Sequence, residues 1–410
     1  MKKKKSVAVK GLMVAVIIFI TAATSALAQE EKKKAMEIYG FIMMDAGYNF
    51  NQIHPDWFDV VRPTKLPSYK NEYGTDGNTY FSVRQTRLGF KNYFETPLGE
   101  LKTQFEFEMF GTGVDAGQTT IRLRHAYAEL GKFGVGQYWS PFMDIDVFPN
   151  TVEYWGPTGM AFFRNVQFRY MPIQGDSRLT FALERPGASA DQGVYSGRVE
   201  LNDVKPRFQY PDLSAEYRHA GNFGYVEIAG IVRSIKWEDL GQDQYDLSGD
   251  ALGWGVNLST NLNLGKNKKT VFRGAVVYGE GIQNYMNDAP VDIGIQKNPG
   301  NIVTPVKGVA LPLLGVTAFI DHSWNEKFST AIGYSMIDID NSDGQAASSF
   351  QKANYAAVNL MYYPVKNAMC GVELQYGDRS NFADGWETDI LKLQFSFKYN
   401  FSQVFYKPEK

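Results

Sequence analysis

Near its C-terminal end the chain places Leu391, Leu393, Phe395, Phe397, Tyr399 and Phe401 in strict alternation with Lys392, Gln394, Ser396, Lys398 and Asn400. In an extended chain successive side chains point to opposite faces, so this stretch has one wholly apolar face and one wholly polar face. The same period of two recurs in Leu252, Trp254, Val256 and Leu258 against Asn257 and Ser259, in Val372, Leu374 and Tyr376 against Glu373 and Gln375, and in Phe105, Phe107 and Met109 against Gln104, Glu106 and Glu108. Runs of this kind exceed the roughly five or six residues usual in globular sheets and match the roughly 9 to 11 tilted residues that cross a bilayer as a strand. After the N-terminal segment nothing approaches the roughly 18 consecutive apolar residues of a membrane helix. A soluble sandwich also alternates, so two further features decide. The connections are by turns very short, as at 265–267, 324–326 and 365–367, and long, as at 187–211, 280–306 and 339–350. That asymmetry is expected of an outer-membrane barrel, with short periplasmic turns and long external loops. Aromatic residues make up 14% of the chain, and Tyr93, Phe94, Trp237, Trp324, Tyr362 and Tyr363 fall near strand ends, where interfacial girdles lie.

The N-terminus supports export. Lys2, Lys3, Lys4, Lys5 and Lys10 precede an apolar run from Leu12 to Ile20 and a small-residue site at Ala26-Leu27-Ala28, the three parts of a cleaved secretory signal. Removing 1–28 takes five of the 42 Lys+Arg and none of the 44 Asp+Glu, which leaves 37 against 44 and an acidic mature chain. A net negative surface without a basic cluster excludes a nucleic-acid partner. Cys370 is the single cysteine, so neither an intramolecular disulfide nor a CxxC metal site is available.

Alternating runs begin near residues 36, 79, 99, 119, 133, 161, 177, 212, 222, 249, 269, 308, 327, 352, 367 and 386, which predicts an all-β fold: a transmembrane antiparallel β-barrel of about 16 strands. Such a barrel is wide enough for an aqueous lumen. The expected organisation is a signal peptide over 1–28, a short charged leader over 29–35, one barrel domain over 36–401 and a tail over 402–410.

With the apolar face toward lipid, Arg87 and Lys91 point into the lumen, as do Arg122, Arg124, Arg169, Arg178, Arg218, Arg233 and Arg273. Arg84 and Arg164 have the wrong phase and would need a bulge to turn inward. A ring of guanidiniums in a narrow pore attracts anions and can hold a carboxylate by paired hydrogen bonds. The inward carboxylates Glu106, Glu108, Glu184, Glu216, Glu227 and Glu373 leave a second reading open, a lumen of mixed and balanced charge.

Gly136 to Met160 breaks the strand pattern. Pro141, Pro149 and Pro157 cannot donate to a ladder, and Trp139, Phe142, Phe148, Tyr154 and Trp155 are too apolar for a solvated loop. A constriction loop folded into the barrel accounts for both, with Asp144, Asp146 and Glu153 turned toward the basic wall; an external loop packed on a neighbouring subunit is the alternative.

This segment, together with VRQTRLGFKNYFETPLGELKTQFEFE at 83–108 and IRLRHAYAELG at 121–131, resembles the DcaP-like trimeric outer-membrane porins. The resemblance implies a sixteen-stranded homotrimer in the bacterial outer membrane, in contact with the lipid bilayer and lipopolysaccharide. It also implies a constriction loop over 136–160, wall arginines at Arg84, Arg87, Arg122, Arg124, Arg164 and Arg169, and passive uptake of dicarboxylates and related small organic acids, with no cofactor. An enzyme is not expected. His54, His125, His219 and His322 form no close ligand pair, and no GxSxG elbow occurs. An oligosaccharide channel using Trp139, Tyr154 and Trp155 as a short aromatic slide, and a structural or adhesin barrel, remain the other readings.

Overall fold

The computed structural model describes residues 33–407, so the expected signal peptide and most of the charged leader lie outside the described residues. Sixteen antiparallel strands close into a barrel: β1 (Lys34–Asn49), β2 (Asn78–Ser82 continued by Arg87–Thr96), β3 (Gly99–Phe110), β4 (Thr119–Leu130), β5 (Phe133–Trp139), β6 (Arg164–Ile173), β7 (Arg178–Glu184), β8 (Asp212–Gly221), β9 (Gly224–Asp239), β10 (Gly249–Leu264), β11 (Thr270–Glu280), β12 (Pro312–Ser323), β13 (Phe328–Ile339), β14 (Phe350–Tyr362), β15 (Ala368–Asn381) and β16 (Glu387–Tyr406). Closure is made by β1, which pairs with β2 on one side (Met36↔Asn92) and β16 on the other (Asn49↔Lys392), so no edge is left to aggregate. The long final ladder carries the barrel beyond the limits expected from sequence, to Lys34 and Tyr406, which pair with each other at one end of it.

Side-chain exposure follows the alternation. In β16, Phe395, Phe397 and Tyr399 are 43–53% exposed together with Phe405, while Lys392, Gln394 and Ser396 behind them are buried. An apolar outside and a polar inside are the arrangement a lipid-solvated barrel requires. Aromatic pairs on the outer face mark the short-turn end, where Phe133 lies 5.2 Å from Tyr170 and Phe328 5.0 Å from Tyr362. Trp237 departs from the girdle expectation: its indole N–H donates to the Leu247 carbonyl at 2.9 Å among the external loops.

Lys34, Tyr406 and the short turns share one end, and the long connections gather at the other. Two small strands there, Ile293–Lys297 and Val306–Ala310, form a separate hairpin, and Val204–Arg207 extends the sheet beside the outer end of β9.

Candidate functional site

The site is the inner wall and the segment that runs along it. Trp139 ends β5, in register with Arg164 at the start of β6, so the connecting loop spans 140–163 and Trp139 belongs to the wall rather than to the loop. From there the loop touches the inward faces of successive strands in their order around the barrel. The Phe142 carbonyl accepts from Asn257 of β10 at 2.9 Å. Asp144 accepts from Arg218 of β8 (2.6 Å), Tyr225 of β9 (2.7 Å) and Ser259 of β10 (2.7 Å). The Asp146 carbonyl takes Asn261 of β10 and Arg273 of β11. Asn150 bonds Asp321 of β12 and Ser329 of β13, and its carbonyl accepts from Asn359 of β14. The amides of Val152 and Glu153 donate to Glu373 of β15 at 3.0 and 3.1 Å. The Val152 carbonyl takes Gln394 of β16, and Tyr154 ends the circuit at Glu108 of β3 and Arg122 of β4. The chain then crosses back, because the Gly159 amide donates to Ser335 of β13 at 2.8 Å and a Cβ at Gly159 would overlap the Met336 carbonyl.

The circuit exists because polar inner side chains satisfy a backbone that forms no ladder of its own. Prolines at 141, 149 and 157 keep the segment out of any sheet, and Phe142, Val147, Val152 and Met160 are buried beneath it.

Two charge clusters of opposite sign flank the loop. On β2 to β6, Arg87, Arg122, Arg124 and Arg164 surround Glu106 and Glu108. Arg124 donates to both carboxylates (2.7 and 2.6 Å), Arg122 Nε to Glu108 (2.9 Å) and Arg87 to Glu108 (3.4 Å), while Arg164 comes no closer than 4.0 Å. Four guanidiniums against two carboxylates leave two positive charges in excess. Arg87 Nε and Arg164 Nη1 donate to nothing among the described residues, so the cluster keeps hydrogen-bonding capacity as well as charge. Arg169 adds to it, since its partners are the Gln167 side-chain oxygen and the Trp139 carbonyl rather than a carboxylate. On the other side, Glu216 and Glu227 of β8 and β9, with Asp144 and Asp146 of the loop, outnumber Arg178 and Arg218.

Several expectations need amendment. Arg84 is turned inward by the break at Val83–Thr86 in β2, but it is only 1% exposed and is paired with Asp59, so it faces a loop and not open lumen. Arg233 is equally buried between Asp212 and Asp292. Asp144 and Asp146 meet arginines as expected, whereas Glu153 does not. It accepts from the Val61 and Gly156 amides, and burial pushes its carboxyl up to about 7, the reverse of what a facing guanidinium does. Trp155 packs edge-on to Trp57 (4.8 Å) and Tyr154 stacks on Phe110 (4.1 Å), so neither presents a free face for a sugar slide.

Sequence reasoning missed the loop over 50–77. Its Trp57, Val60, Val61 and Leu66 are buried, and Arg62 lies 4.1 Å from the rings of both Trp57 and Trp155 while donating twice to Asp288. The signal was present: Pro55, Pro63 and Pro67 punctuate an apolar stretch, as in 136–160. On the short-turn side of the inner loop a cavity of about 580 Å³ is lined by Tyr138, Trp139, Arg169 and Arg178, with Glu100, Glu129 and Glu216 beside them.

The fold is shared with solved structures. The outer membrane channel DcaP of Acinetobacter baumannii superposes with a TM-score of 0.72 at 21% identity, over 90% of this chain and 98% of that one. An anion-selective porin from Comamonas acidovorans gives 0.58 at 10% identity over 90% and 100% of the two chains. The outer membrane protein OmpT of Vibrio cholerae, in its trimer form, gives 0.53 at 11% identity, again over 90% and 100%. No curated protein matches the sequence. The family model for the DcaP outer membrane protein matches residues 20–401, nearly the whole chain, and with the closed sixteen-stranded barrel this establishes an outer-membrane channel that belongs to the DcaP family.

Proposed function

We propose that the chain forms a passive diffusion channel selective for small organic anions, dicarboxylates foremost, that it works as a homotrimer, and that the loop over 140–163 is its constriction. The observation that carries this reading is the excess of positive charge on β2 to β6, where Arg87, Arg122 and Arg164 keep 23%, 20% and 10% of their side chains exposed. A guanidinium offers paired donors to a carboxylate, and a charged ring at a narrow point sets the sign of what passes. A solute with two carboxylates can engage the cluster at one end and Arg169, beside the cavity below the loop, at the other. The porin from Comamonas acidovorans is described as anion-selective and OmpT occurs as a trimer, which supports the same properties here. Trimers reconstituted in planar bilayers provide the test. Millimolar succinate or glutarate is expected to block the current more strongly than neutral oligosaccharides, and Arg87→Ala combined with Arg164→Ala to weaken that block about tenfold, the effect of one lost charge-assisted contact of about 1.5 kcal/mol. Stronger block by oligosaccharides would favour a sugar channel instead.

A further inference from the structure

At the long-loop end, outside the inner wall, a cavity of about 470 Å³ lies between the 184–212 connection, the outer end of β9 and the hairpin of Ile293–Lys297 with Val306–Ala310. Its body is apolar. Leu201, Leu247, Ile295 and Val306 form a buried cluster of their own, separate from the packing beneath the inner loop, and Trp237 is held against them by its bond to the Leu247 carbonyl. The rim is charged, and Lys205, Lys236 and Lys307 line it without forming an ion pair among the described residues. The lysine contacts that do exist are to neutral groups: Lys205 donates to the Asn202 carbonyl at 2.6 Å and Lys236 lies 5.7 Å from the Tyr210 ring.

Most of the carboxylates nearby are engaged elsewhere. Asp212 and Asp292 bind Arg233 at 3.0 and 2.7 Å, and Asp191 accepts from the Gly193 amide and from Gln345. Arg233 is thus matched by Asp212 and Asp292, and Glu238, in register with Lys205, is held by Arg207 at 2.9 Å, while Asp250 lies in register with Lys236 without an ion pair between them. Volume in the range of small-ligand sites, an apolar body and a few polar groups at one margin are the general marks of a binding pocket. The apolar lining rewards an aliphatic or aromatic tail by roughly 25 cal/mol for each Å² removed from water, and the unpaired lysines select the sign of the head.

We propose that this cavity is a second ligand site, distinct from the pore, for an anionic amphiphile: an acyl or aryl tail buried against Leu201, Ile295 and Trp237, with its carboxylate or phosphate at Lys205, Lys236 and Lys307. The amphiphile can be free in solution or be part of an outer-leaflet lipid, since both present this chemistry. The test uses the full chain in vesicles of neutral phosphatidylcholine and equilibrium dialysis of radiolabelled octanoate, with protein-free vesicles as the blank. One saturable site per chain is expected, competed by octyl phosphate and not by octylammonium. Lys205→Gln, Lys236→Gln and Lys307→Gln together are expected to weaken it at least tenfold, and Ile295→Trp, which fills the cavity, to abolish it, with single-channel conductance unchanged in both variants. Should a lipid retained through purification accompany the unaltered chain and be lost from Ile295→Trp, the lipid is the source of the same head and tail. Saturable binding that survives Ile295→Trp, equal competition by octylammonium, or no saturable binding and no retained lipid in the lysine-intact chain would overturn the proposal. The lysine variant keeps the outcome readable if Ile295→Trp fails to fold.

Discussion

Replacing Glu108 by Ala is expected to destabilise the folded barrel by about 3–5 kcal/mol, the range for breaking a buried charge network by removing one partner. Glu108 is fully buried and receives Arg87, Arg122 and Arg124 as well as the Tyr154 hydroxyl, so its loss leaves Arg122 without a carboxylate, leaves Arg87 and Arg124 to share Glu106, and frees the end of the inner loop at once. Glu106 remains as the single carboxylate of the cluster, held by Arg124 at 2.7 Å and by Tyr39 at 2.7 Å. The measurement is urea unfolding in lipid vesicles, followed by the loss of the folded band on unheated gels. A change below 1 kcal/mol would mean that lumen water, and not this carboxylate, solvates the arginines. The same variant should be more anion-selective than the parent, since the cluster loses a negative charge.

Asp144→Ala is the second large effect. One carboxylate joins the loop to three strands, through Arg218, Tyr225 and Ser259, and also caps the turn at the Asp146 amide (3.0 Å). A hydrogen bond to a charged group contributes about 1.5–3 kcal/mol, so losing this anchor favours release of the loop by about 3 kcal/mol, roughly a hundredfold in population. Cleavage within 140–163 by added protease should accelerate accordingly, and open-channel current should become larger and noisier. Unchanged protease resistance and unchanged current would show that the remaining contacts at β12 to β16 hold the loop without it.

Much of this was legible in the sequence, because a lipid-facing strand has to repeat every two residues. Fifteen expected strand starts lie within three residues of those observed, and the sixteenth, expected near 308, falls at Pro312. That gap arises because Val306–Ala310 pairs with Ile293–Lys297 in a hairpin of its own, and its alternation cannot be told from that of β12 by periodicity alone. Phase also located the inward arginines. What phase cannot give is the partner of each one. The resemblance places Arg84 on the wall against its phase, and phase places Arg233 there, yet Asp59, Asp212 and Asp292, which enclose them, come from loops or strand ends that periodicity does not link to them. The inner loop was recognisable from prolines among aromatics, but its circuit depends on Asn257, Asn359, Gln394 and Glu373 meeting backbone groups more than a hundred residues distant. The Arg62–Asp288 contact is of the same kind, joining the loops over 50–77 and 280–312 across the mouth.

The central claim is that the wall of β2 to β6 gives the channel its sign. In a planar bilayer with a tenfold potassium chloride gradient, the account predicts stepwise conductance and a reversal potential displaced toward the chloride equilibrium value; a displacement toward the potassium value would contradict it.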